Sequence, residues 1–333
     1  MTRKENVNRR RGSGKARGAM RSAVVFGGSG FLGSHVADAL SEAGFAVTVF
    51  DTKPSPYLRP DQQGMVGDIL DADQVSGAVK GCEVVYNFAG IADIEEANAR
   101  PLETVKANIL GNTILLEAAR REKIKRFVFA SSLYVYSDAG AFYRSSKQAC
   151  ELLIDNYHHA YGLSYTILRY GSLYGDRADQ RNWVCRVLQD AVSQGRIVRY
   201  GDGEEIREYI HVRDAARYSV TVLAPEYANQ HVIISGHQAI KIKDLLTMIK
   251  EMMNGRITVE YRSPEDARSP SESRLHYDVT PYSFSPKIAH KLVGNDYLDL
   301  GQGLLTLLNE IYRSHHHYTS DAGVLFTEND RRR

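Results

Sequence analysis

The sequence predicts an α/β protein built on a doubly wound parallel β-sheet, with a smaller α/β lobe toward the C-terminus. Two observations predict the sheet. Short apolar segments rich in β-branched residues alternate with segments of helical periodicity. The strand segments are also nearly uninterrupted apolar runs, as expected for parallel strands buried on both faces. The alternation loosens after about residue 175, which predicts the second lobe, and 333 residues are enough for both units.

Each element follows from its local pattern. The apolar run from Ser22 to Phe26 predicts the first strand, and apolar residues at helical spacing over 31–43 predict a helix that ends at Gly44. The same patterns predict strands at 46–51, around 65–66, at 84–88, 126–130 and 164–169, and helices at 71–80, 103–122 and 143–161. In the second lobe they predict helices near 183–194, 212–223, 242–253 and 300–312.

The charge is concentrated at one end of the chain. Residues 1–20 hold seven Lys or Arg and one acidic residue, and the remainder holds 35 basic and 39 acidic residues, a net charge of −4. We predict a solvated basic tail there, with contact to nucleic acid or an anionic surface as the alternative. Residues 315–333 are expected to form a second flexible tail.

The composition excludes several classes of protein. A chain that is 43% hydrophobic and 25% charged is neither collagen-like nor wholly disordered, and no apolar stretch approaches the ~18 residues that span a bilayer. Cys82, Cys150 and Cys185 lack the paired spacing of a disulfide framework or a zinc site. We therefore expect a cytoplasmic protein with no metal and with neither membrane nor nucleic acid as a partner.

A glycine-rich loop joins the first predicted strand to the first predicted helix. Gly27 permits a tight turn, Gly30 lets the backbone approach a pyrophosphate, and Gly33 lets the helix pack closely on the strand. Asp51 ends the second strand, where its carboxylate can bind an adenosine ribose and repel a 2′-phosphate. The sheet is therefore predicted to be a Rossmann-type sheet that binds NAD rather than NADP.

A second motif supplies groups for proton transfer. Tyr143 and Lys147 are four residues apart in a predicted helix and so share one face. An ammonium beside the phenol is expected to lower the pKa of Tyr143, which would then act as general base or acid at a substrate hydroxyl. Ser132 ends a strand just before this pair and can hydrogen-bond the same oxygen.

The order of these motifs resembles the extended short-chain dehydrogenases/reductases, in the NAD-dependent nucleotide-sugar epimerase and dehydratase branch that includes UDP-galactose 4-epimerase. The resemblance covers about residues 22–312 and is carried by Gly27-x-x-Gly30-x-x-Gly33, Asn87-Phe-Ala-Gly90, Asn108-x-x-Gly111-Asn-Thr, Ser-Ser-x-x-Val-Tyr136, Tyr143-x-x-x-Lys147, Leu168-Arg-Tyr-Gly-Ser-Leu-Tyr-Gly175 and Arg207-Glu-Tyr-Ile-His-Val-Arg-Asp214.

The resemblance implies a site and an organisation. Catalysis would fall on Ser132, Tyr143 and Lys147. The implied NAD contacts are Gly27, Gly30, Phe31, Leu32, Asp51, Asp68, Ile69, Phe88, Ala89, Gly90, Asn108, Tyr143, Lys147 and Tyr170. The implied contacts to a nucleotide-diphosphate sugar are Ser132, Ser172, Asn182, Trp183, Tyr200, Arg207, Arg268 and Arg274. The expected domains are a basic tail at 1–20, an NAD-binding domain at 21–175 with returns near 205–235, a substrate lobe at 176–314 and a tail at 315–333.

A homodimer is also implied, through helices 103–122 and 144–161. Leu115, Leu116, Leu152 and Leu153 suit such an interface and suit an internal core equally well. Dimerisation therefore depends on the resemblance alone.

Three departures from the family pattern bear on the reaction. Only six residues separate Tyr136 from Tyr143, so the sugar end is expected to be more open, to accept an unusual or larger sugar, or to be covered by another part of the chain. Leu133 and Tyr134 follow Ser132, where dehydratases carry an Asp-Glu pair and decarboxylases a Glu, so neither elimination nor decarboxylation is favoured. Ser172 replaces the family's Asn, which weakens the implied phosphate contact there.

These observations favour C4 epimerisation of a nucleotide-diphosphate sugar, with a UDP-sugar preferred, through a transient 4-keto intermediate. The alternatives are a 4,6-dehydratase with displaced acid and base residues and a 4-keto-sugar reductase. A non-catalytic NAD(P)-sensing protein is less favoured, because Tyr143 and Lys147 are both present.

Overall fold

The computed structural model describes residues 21–263, 266, 276–282 and 288–316. In chain order, the strands are β1 (Ser22–Phe26), β2 (Ala46–Asp51), β3 (Gln62–Val66), β4 (Val84–Asn87), β5 (Arg126–Ser132), β6 (Tyr165–Tyr170), β7 (Ser172–Tyr174), β8 (Arg196–Tyr200), β9 (Ile206–His211), β10 (Gln230–Ile234), β11 (Ala239–Lys241), β12 (Thr258–Arg262) and β13 (His290–Lys291).

The helices surround these strands. They are α1 (Phe31–Glu42), α2 (Ala72–Val79), α3 (Ile94–Ala99), α4 (Pro101–Thr104), α5 (Gly111–Arg121), α6 (Ala141–Tyr161), α7 (Trp183–Gln194), α8 (Val212–Thr221), α9 (Ile242–Met252) and α10 (Leu300–His316). None of the helices in these described ranges has an apolar stretch long enough to cross a lipid bilayer.

The predicted doubly wound parallel sheet is confirmed. Eight strands lie in the order β13-β10-β6-β5-β4-β1-β2-β3, and every neighbouring pair is parallel. The order reverses at β1, which pairs with β2 on one side and with β4 on the other. Such a reversal places a crevice at the carboxyl ends of the strands, where ligands of these folds bind.

Two apolar layers cover the sheet. Residues of α1 and α8 form one layer on one face, and residues of α2, α5 and α6 form the other. Every residue of β6 is buried, which accords with its mostly apolar sequence, and its one charged residue, Arg169, is buried as well.

A third core cluster holds the smaller lobe together. It is formed mainly by α7, α9 and α10, which pack with Tyr209 and Ile197 from the short strands β9 and β8. Strands β11, β9 and β7 make a three-stranded sheet, and β12 pairs with β8.

The helix predicted at 103–122 is more complex than expected. It is observed as α4, a π-helical turn at Val105–Leu110, and α5 in direct succession. Its periodicity predicts a helix but carries no signal for the wider turn. That turn contains Asn108, whose side chain is buried.

Candidate active site

The glycine loop is shaped by close backbone contacts. A Cβ on Gly27 would lie 2.7 Å from the backbone nitrogen of Ala89, and a Cβ on Gly33 would lie 2.1 Å from the carbonyl oxygen of Gly27. Gly27 also has a φ of 74°, a conformation that favours glycine. At the start of α1, Gly30 brings no capping side chain, so the first N–H groups of the helix remain available to an anion. Phe31 and Leu32 form the first turn of α1 and are half-buried.

Asp51 lies against this loop at the end of β2. Its Oδ2 accepts a hydrogen bond of 3.0 Å from the backbone nitrogen of Ser29, and its Oδ1 accepts one of 2.8 Å from Thr52. The carboxylate is therefore held beside the glycine loop, as required of a group that binds an adenosine ribose.

The remaining predicted cofactor residues line the neighbouring strand ends. Asp68 is exposed and Ile69 is buried directly after β3, with Ile69 packed against Gly111 of α5. Phe88 to Gly90 follow β4, next to β1.

Tyr170 is nearly fully buried, and its hydroxyl lies 2.6 Å from the Ser219 Oγ. Any cofactor contact by Tyr170 would therefore use its ring or main chain rather than its hydroxyl.

The side chain of Asn108 makes three hydrogen bonds within the protein, and the cofactor contact implied for this residue stays a prediction. Its Oδ1 accepts a 2.7 Å hydrogen bond from the backbone nitrogen of Ile91, and its Nδ2 donates to the Ile91 carbonyl at 3.0 Å and to the Ser146 Oγ at 2.9 Å. A Cβ on Gly90 would lie 2.5 Å from that Oδ1. Because both ends of the amide are used within the protein, Asn108 positions the loop after β4 against α6.

The three predicted catalytic residues are brought together. Ser132 is the last residue of β5, and Tyr143 and Lys147 lie in the first two turns of α6. The Ser132 side chain lies close enough to the Tyr143 hydroxyl to lower its pKa. The Lys147 Nζ lies 5.7 Å from the centroid of the Tyr143 ring and donates a 2.8 Å hydrogen bond to the carbonyl of Ala130.

The expected effect of Lys147 on Tyr143 is wrong for the protein without its cofactor. Burial raises the pKa of Tyr143 to about 12, and the nearby Ser132 side chain offsets only part of that rise. Burial also lowers the pKa of Lys147. The Lys147 Nζ donates to the Ala130 carbonyl, and desolvation is the largest influence on the pKa of the Tyr143 phenol.

A buried ion pair supports α6 behind these residues. Arg169 on β6 is fully buried and donates to both carboxylate oxygens of Glu151, at 3.0 and 2.6 Å. The same carboxylate accepts a 2.5 Å hydrogen bond from the Ser131 hydroxyl, next to Ser132. Breaking such a pair is costly, because the remaining charge stays buried. The pair therefore fixes α6 relative to the end of β5.

The predicted substrate residues fall into two groups. Ser172 and Arg207 lie near the catalytic residues, because both lie near Tyr277, whose ring is 4.6 Å from that of Tyr134, and the Tyr134 ring in turn contacts the Tyr143 ring. The Arg207 guanidinium lies 4.4 Å from the Tyr277 ring centroid.

The second group begins at the amino end of α7. Asn182 caps that helix, with its Oδ1 accepting from the Cys185 nitrogen at 3.1 Å, and its Nδ2 donates to the Leu173 carbonyl at 2.8 Å. Trp183 stacks on Tyr209 with 6.4 Å between ring centroids. Tyr200 ends β8 and is hydrogen-bonded to Arg262 of β12. Arg268 and Arg274 lie outside the described residues.

Three aromatic residues of the site were missed from the sequence. The Tyr134 ring lies in edge contact with the Tyr143 ring at 6.2 Å and 4.6 Å from the Tyr277 ring, measured between centroids. The Tyr134 hydroxyl is 2.6 Å from the His276 Nδ1. The position of Tyr134 two residues after Ser132 is a signal that could have drawn attention to it, whereas nothing local marks His276 or Tyr277.

Two of these residues bear on the short linker between Tyr136 and Tyr143, because His276 and Tyr277 come from a distant part of the chain and pack against Tyr134. The expectation of a more open sugar end stays a prediction. A cover supplied from elsewhere was one of the alternatives that the sequence left open.

Comparison with known proteins identifies the family. The family model described as "NAD dependent epimerase/dehydratase family" matches residues 23–235, more than half of the chain. This chain belongs to that family. It is therefore an enzyme of the NAD-dependent epimerases/dehydratases, as its motifs predict, and its cofactor is NAD.

Individual relatives of this epimerase/dehydratase are distant and differ in reaction. A Methanocaldococcus jannaschii protein, provisionally named a UDP-glucose 4-epimerase, is 28% identical over 86% of this chain and 97% of its own length. The dTDP-glucose 4,6-dehydratase of Streptomyces niveus is 26% identical over 80% and 88% of the two chains.

Among solved structures, the UDP-N-acetylglucosamine 4-epimerase of Methanobrevibacter ruminantium M1 superimposes with a TM-score of 0.75. It is 25% identical to this chain and covers 89% of it and 99% of its own chain. Epimerases and dehydratases are thus both similar to this enzyme.

The residues of this family member fit NAD. The backbone contacts at Gly27 and Gly33 leave no room for a Cβ at the loop that would hold the pyrophosphate. Asp51 presents a carboxylate beside that loop. Its oxygens can accept hydrogen bonds from ribose hydroxyls, and its charge would repel an additional phosphate. Loop, carboxylate and catalytic residues lie at the carboxyl edge of one sheet.

Proposed function

We propose that this enzyme inverts C4 of a nucleotide-diphosphate sugar, with a UDP-sugar as the favoured substrate. The observation that carries this proposal is that the fold brings Ser132 and Tyr143 together, and that Ser132 is followed in the chain by Leu133 and Tyr134 rather than by acidic residues. The site supplies a proton-transfer group at one hydroxyl and no carboxylate in the two positions after Ser132.

In the proposed reaction, the sugar C4 hydroxyl lies between the oxygens of Ser132 and Tyr143. Ser132 holds that hydroxyl by a hydrogen bond, and Tyr143 takes its proton as C4 is oxidised. Tyr143 returns the proton after the 4-keto sugar has turned its other face to the cofactor. When bound, NAD would accept and return the C4 hydride and add a positive charge that favours the Tyr143 phenolate.

Lys147 has a positioning and an electrostatic part in this scheme. Its aliphatic chain is buried, and its ammonium is fixed between the Ala130 carbonyl and the face of the Phe129 ring, 4.9 Å from the ring centroid. A cation fixed at this place contributes to stabilising a phenolate on Tyr143 without moving during the reaction.

Among the residues that the structure describes, Arg207 is the one proposed to bind the diphosphate. Its guanidinium donates only to carbonyl oxygens in the described contacts, those of Ile206 at 2.9 Å and Asp278 at 3.1 Å, and so retains a full positive charge for phosphate oxygens. Ser172, Asn182, Trp183 and Tyr200 remain proposed contacts to the same ligand, as do Arg268 and Arg274.

The test is to incubate the purified enzyme and NAD with UDP-glucose and UDP-N-acetylglucosamine and to analyse the products by NMR and mass spectrometry. A product of unchanged mass with inverted C4, absent with Tyr143→Phe, is expected. Loss of one water would indicate a 4,6-dehydratase, and stoichiometric consumption of NAD(P)H would indicate a 4-keto-sugar reductase. Bound cofactor without any turnover would indicate the sensing role.

We further propose a cytoplasmic homodimer. Val105, Leu110 and Leu152 are exposed apolar residues on the two helical segments implied in dimerisation, and Leu153 is partly buried. Leu115 and Leu116, in contrast, are fully buried in the core and belong to no interface. Light scattering of the purified protein should give a molar mass twice that of one chain. Leu152→Glu should lower the measured mass toward that of a single chain.

A further inference from the structure

Residues 276–282 add a short segment to the substrate side of the site. The Asp278 carbonyl accepts a 2.7 Å hydrogen bond from the backbone nitrogen of Ile206, and Val279 pairs with Ile206 in a parallel bridge. The Tyr282 hydroxyl donates to Glu208 at 2.8 Å. The segment is thus anchored along β9 at several points and holds its first residues, His276 and Tyr277, over Tyr134.

Tyr134 and His276 form a neutral hydrogen-bonded pair. Burial raises the pKa of Tyr134 far above its ordinary value, so the phenol keeps its proton. Burial and the guanidinium groups of Arg207 and Arg199 lower the pKa of His276. One proton is shared between the Tyr134 oxygen and the His276 Nδ1, and which of them donates depends on the tautomer of the neutral imidazole.

This arrangement leaves one acceptor and one donor available to a ligand. If the phenol donates, its oxygen keeps a lone pair and the Nε2–H of His276 is a donor; if the Nδ1–H donates, the phenol hydroxyl is a donor and Nε2 is an acceptor. A sugar hydroxyl both donates and accepts, so it matches this pair in either tautomer. A sugar carboxylate only accepts, so it can use the donor of the pair but not the acceptor.

The pair also lies at the right distance from the proposed reaction centre. Tyr134 and Tyr143 have ring centroids 6.2 Å apart in edge contact, so a sugar whose C4 lies at Tyr143 places a neighbouring carbon at Tyr134. The ring of Tyr277, 4.6 Å from that of Tyr134, extends the aromatic surface on which a sugar C–H face can pack.

We infer that Tyr134 and His276 are specificity-determining residues that recognise a hydroxyl group flanking C4 of the sugar, at C3 or C6. This inference rests on the proposed function, because it places C4 at Tyr143. The substrate class it names is a hexose that carries hydroxyl groups at both positions, in preference to a uronic acid.

The experiment pairs deletion of the Tyr134 hydroxyl with deletion of a sugar hydroxyl. With NAD present, kcat/KM and the dissociation constant would be measured for UDP-glucose, UDP-3-deoxyglucose and UDP-6-deoxyglucose, with the wild-type enzyme and Tyr134→Phe. If a neutral hydrogen bond is made to that hydroxyl, kcat/KM of the wild-type enzyme should be about 3- to 10-fold lower for one of the two deoxy sugars than for UDP-glucose. In Tyr134→Phe, kcat/KM for UDP-glucose should fall by about the same factor, and kcat/KM for that deoxy sugar should equal the wild-type value for it.

Tyr161→Phe is the matched control, since it removes an exposed phenol hydroxyl at the C-terminal end of α6, and it should preserve every substrate ratio. His276→Ala should behave as Tyr134→Phe does. Additive losses with both deoxy sugars, or better turnover of UDP-glucuronic acid than of UDP-glucose by wild type, would overturn the inference. Failure of the proposed function would look different. The effects of removing the Tyr134 hydroxyl and the sugar hydroxyl on the dissociation constants would still be non-additive, but no C4 epimer would form.

Discussion

The ammonium of Lys147 and the carbonyl of Ala130 form a 2.8 Å hydrogen bond that ties the first turns of α6 to the end of β5. Tyr143 is on that part of α6, and Ser132 is on that end of β5. This buried bond and the ion pair of Arg169 with Glu151 thus hold the two oxygens that are proposed to bind the sugar hydroxyl. Burial remains the largest influence on the pKa of Tyr143.

Lys147→Met is expected to lower kcat about 100-fold or more, because it removes both the fixed charge and the bond to Ala130. KM for the UDP-sugar should change much less, since Lys147 lies behind Tyr143. Steady-state kinetics on the variant check this. Lys250→Met, on the exposed side of α9, is the control and should retain wild-type rates; a Lys147→Met enzyme with unchanged kcat would remove Lys147 from the mechanism.

The ionisation of Tyr143 should be abnormal in the protein without NAD. Since burial raises the pKa of Tyr143 to about 12, the neutral phenol persists well above the ordinary value for tyrosine of about 10. The difference in tyrosinate absorbance between wild type and Tyr143→Phe isolates this group and should show no ionisation up to about pH 10. Added NAD should move that ionisation to lower pH, and an ordinary pKa without NAD would show that burial is not the dominant effect.

Asp51 should determine the choice between the two dinucleotides. Asp51→Asn removes the negative charge held at the glycine loop but keeps a side chain of the same shape. The preference for NAD over NADP, measured as the ratio of dissociation constants, should fall at least about tenfold. Asp73→Asn, an exposed acidic residue in the first turn of α2, should leave the ratio unchanged. If the ratio is also unchanged in Asp51→Asn, the carboxylate does not face the ribose.

Asn108→Ala should destabilise the protein. Three hydrogen bonds are lost, and the N–H and carbonyl of Ile91 lose their partner, so the free energy of unfolding should fall by about 2–4 kcal/mol. Urea denaturation measures it. Thr113→Ala, which removes one hydrogen bond within the same helical segment, should cost about 1 kcal/mol or less. A similar small loss in Asn108→Ala would mean that the loop after β4 does not depend on this side chain.

The sheet and the catalytic helix could be predicted from the sequence because their signals are local. Tyr143 and Lys147 share a helix face by their spacing alone, and the glycine loop is marked by its position between a strand and a helix. The roles of Asn108 and Tyr170 could not be obtained in this way. Which polar group their side chains find depends on how α5, α6 and α8 pack, and the structure directs them to Ile91, Ser146 and Ser219.

Two other features required the tertiary structure for different reasons. The charge of Lys147 is evident in the sequence, but the desolvation that opposes it at Tyr143 depends on the surrounding packing. His276 and Tyr277 are more than 130 residues from Tyr143 in the chain, and their arrival at Tyr134 depends on the pairing of residues 276–282 with β9.

The most direct test of the proposed reaction follows the C4 hydrogen. UDP-glucose deuterated at C4 would be incubated with the enzyme and NAD, and the product would be analysed by NMR. The account predicts a C4-inverted product that keeps the deuterium at C4, and no product with Tyr143→Phe. Deuterium found at C6 together with loss of water, or turnover that survives in Tyr143→Phe, would contradict it.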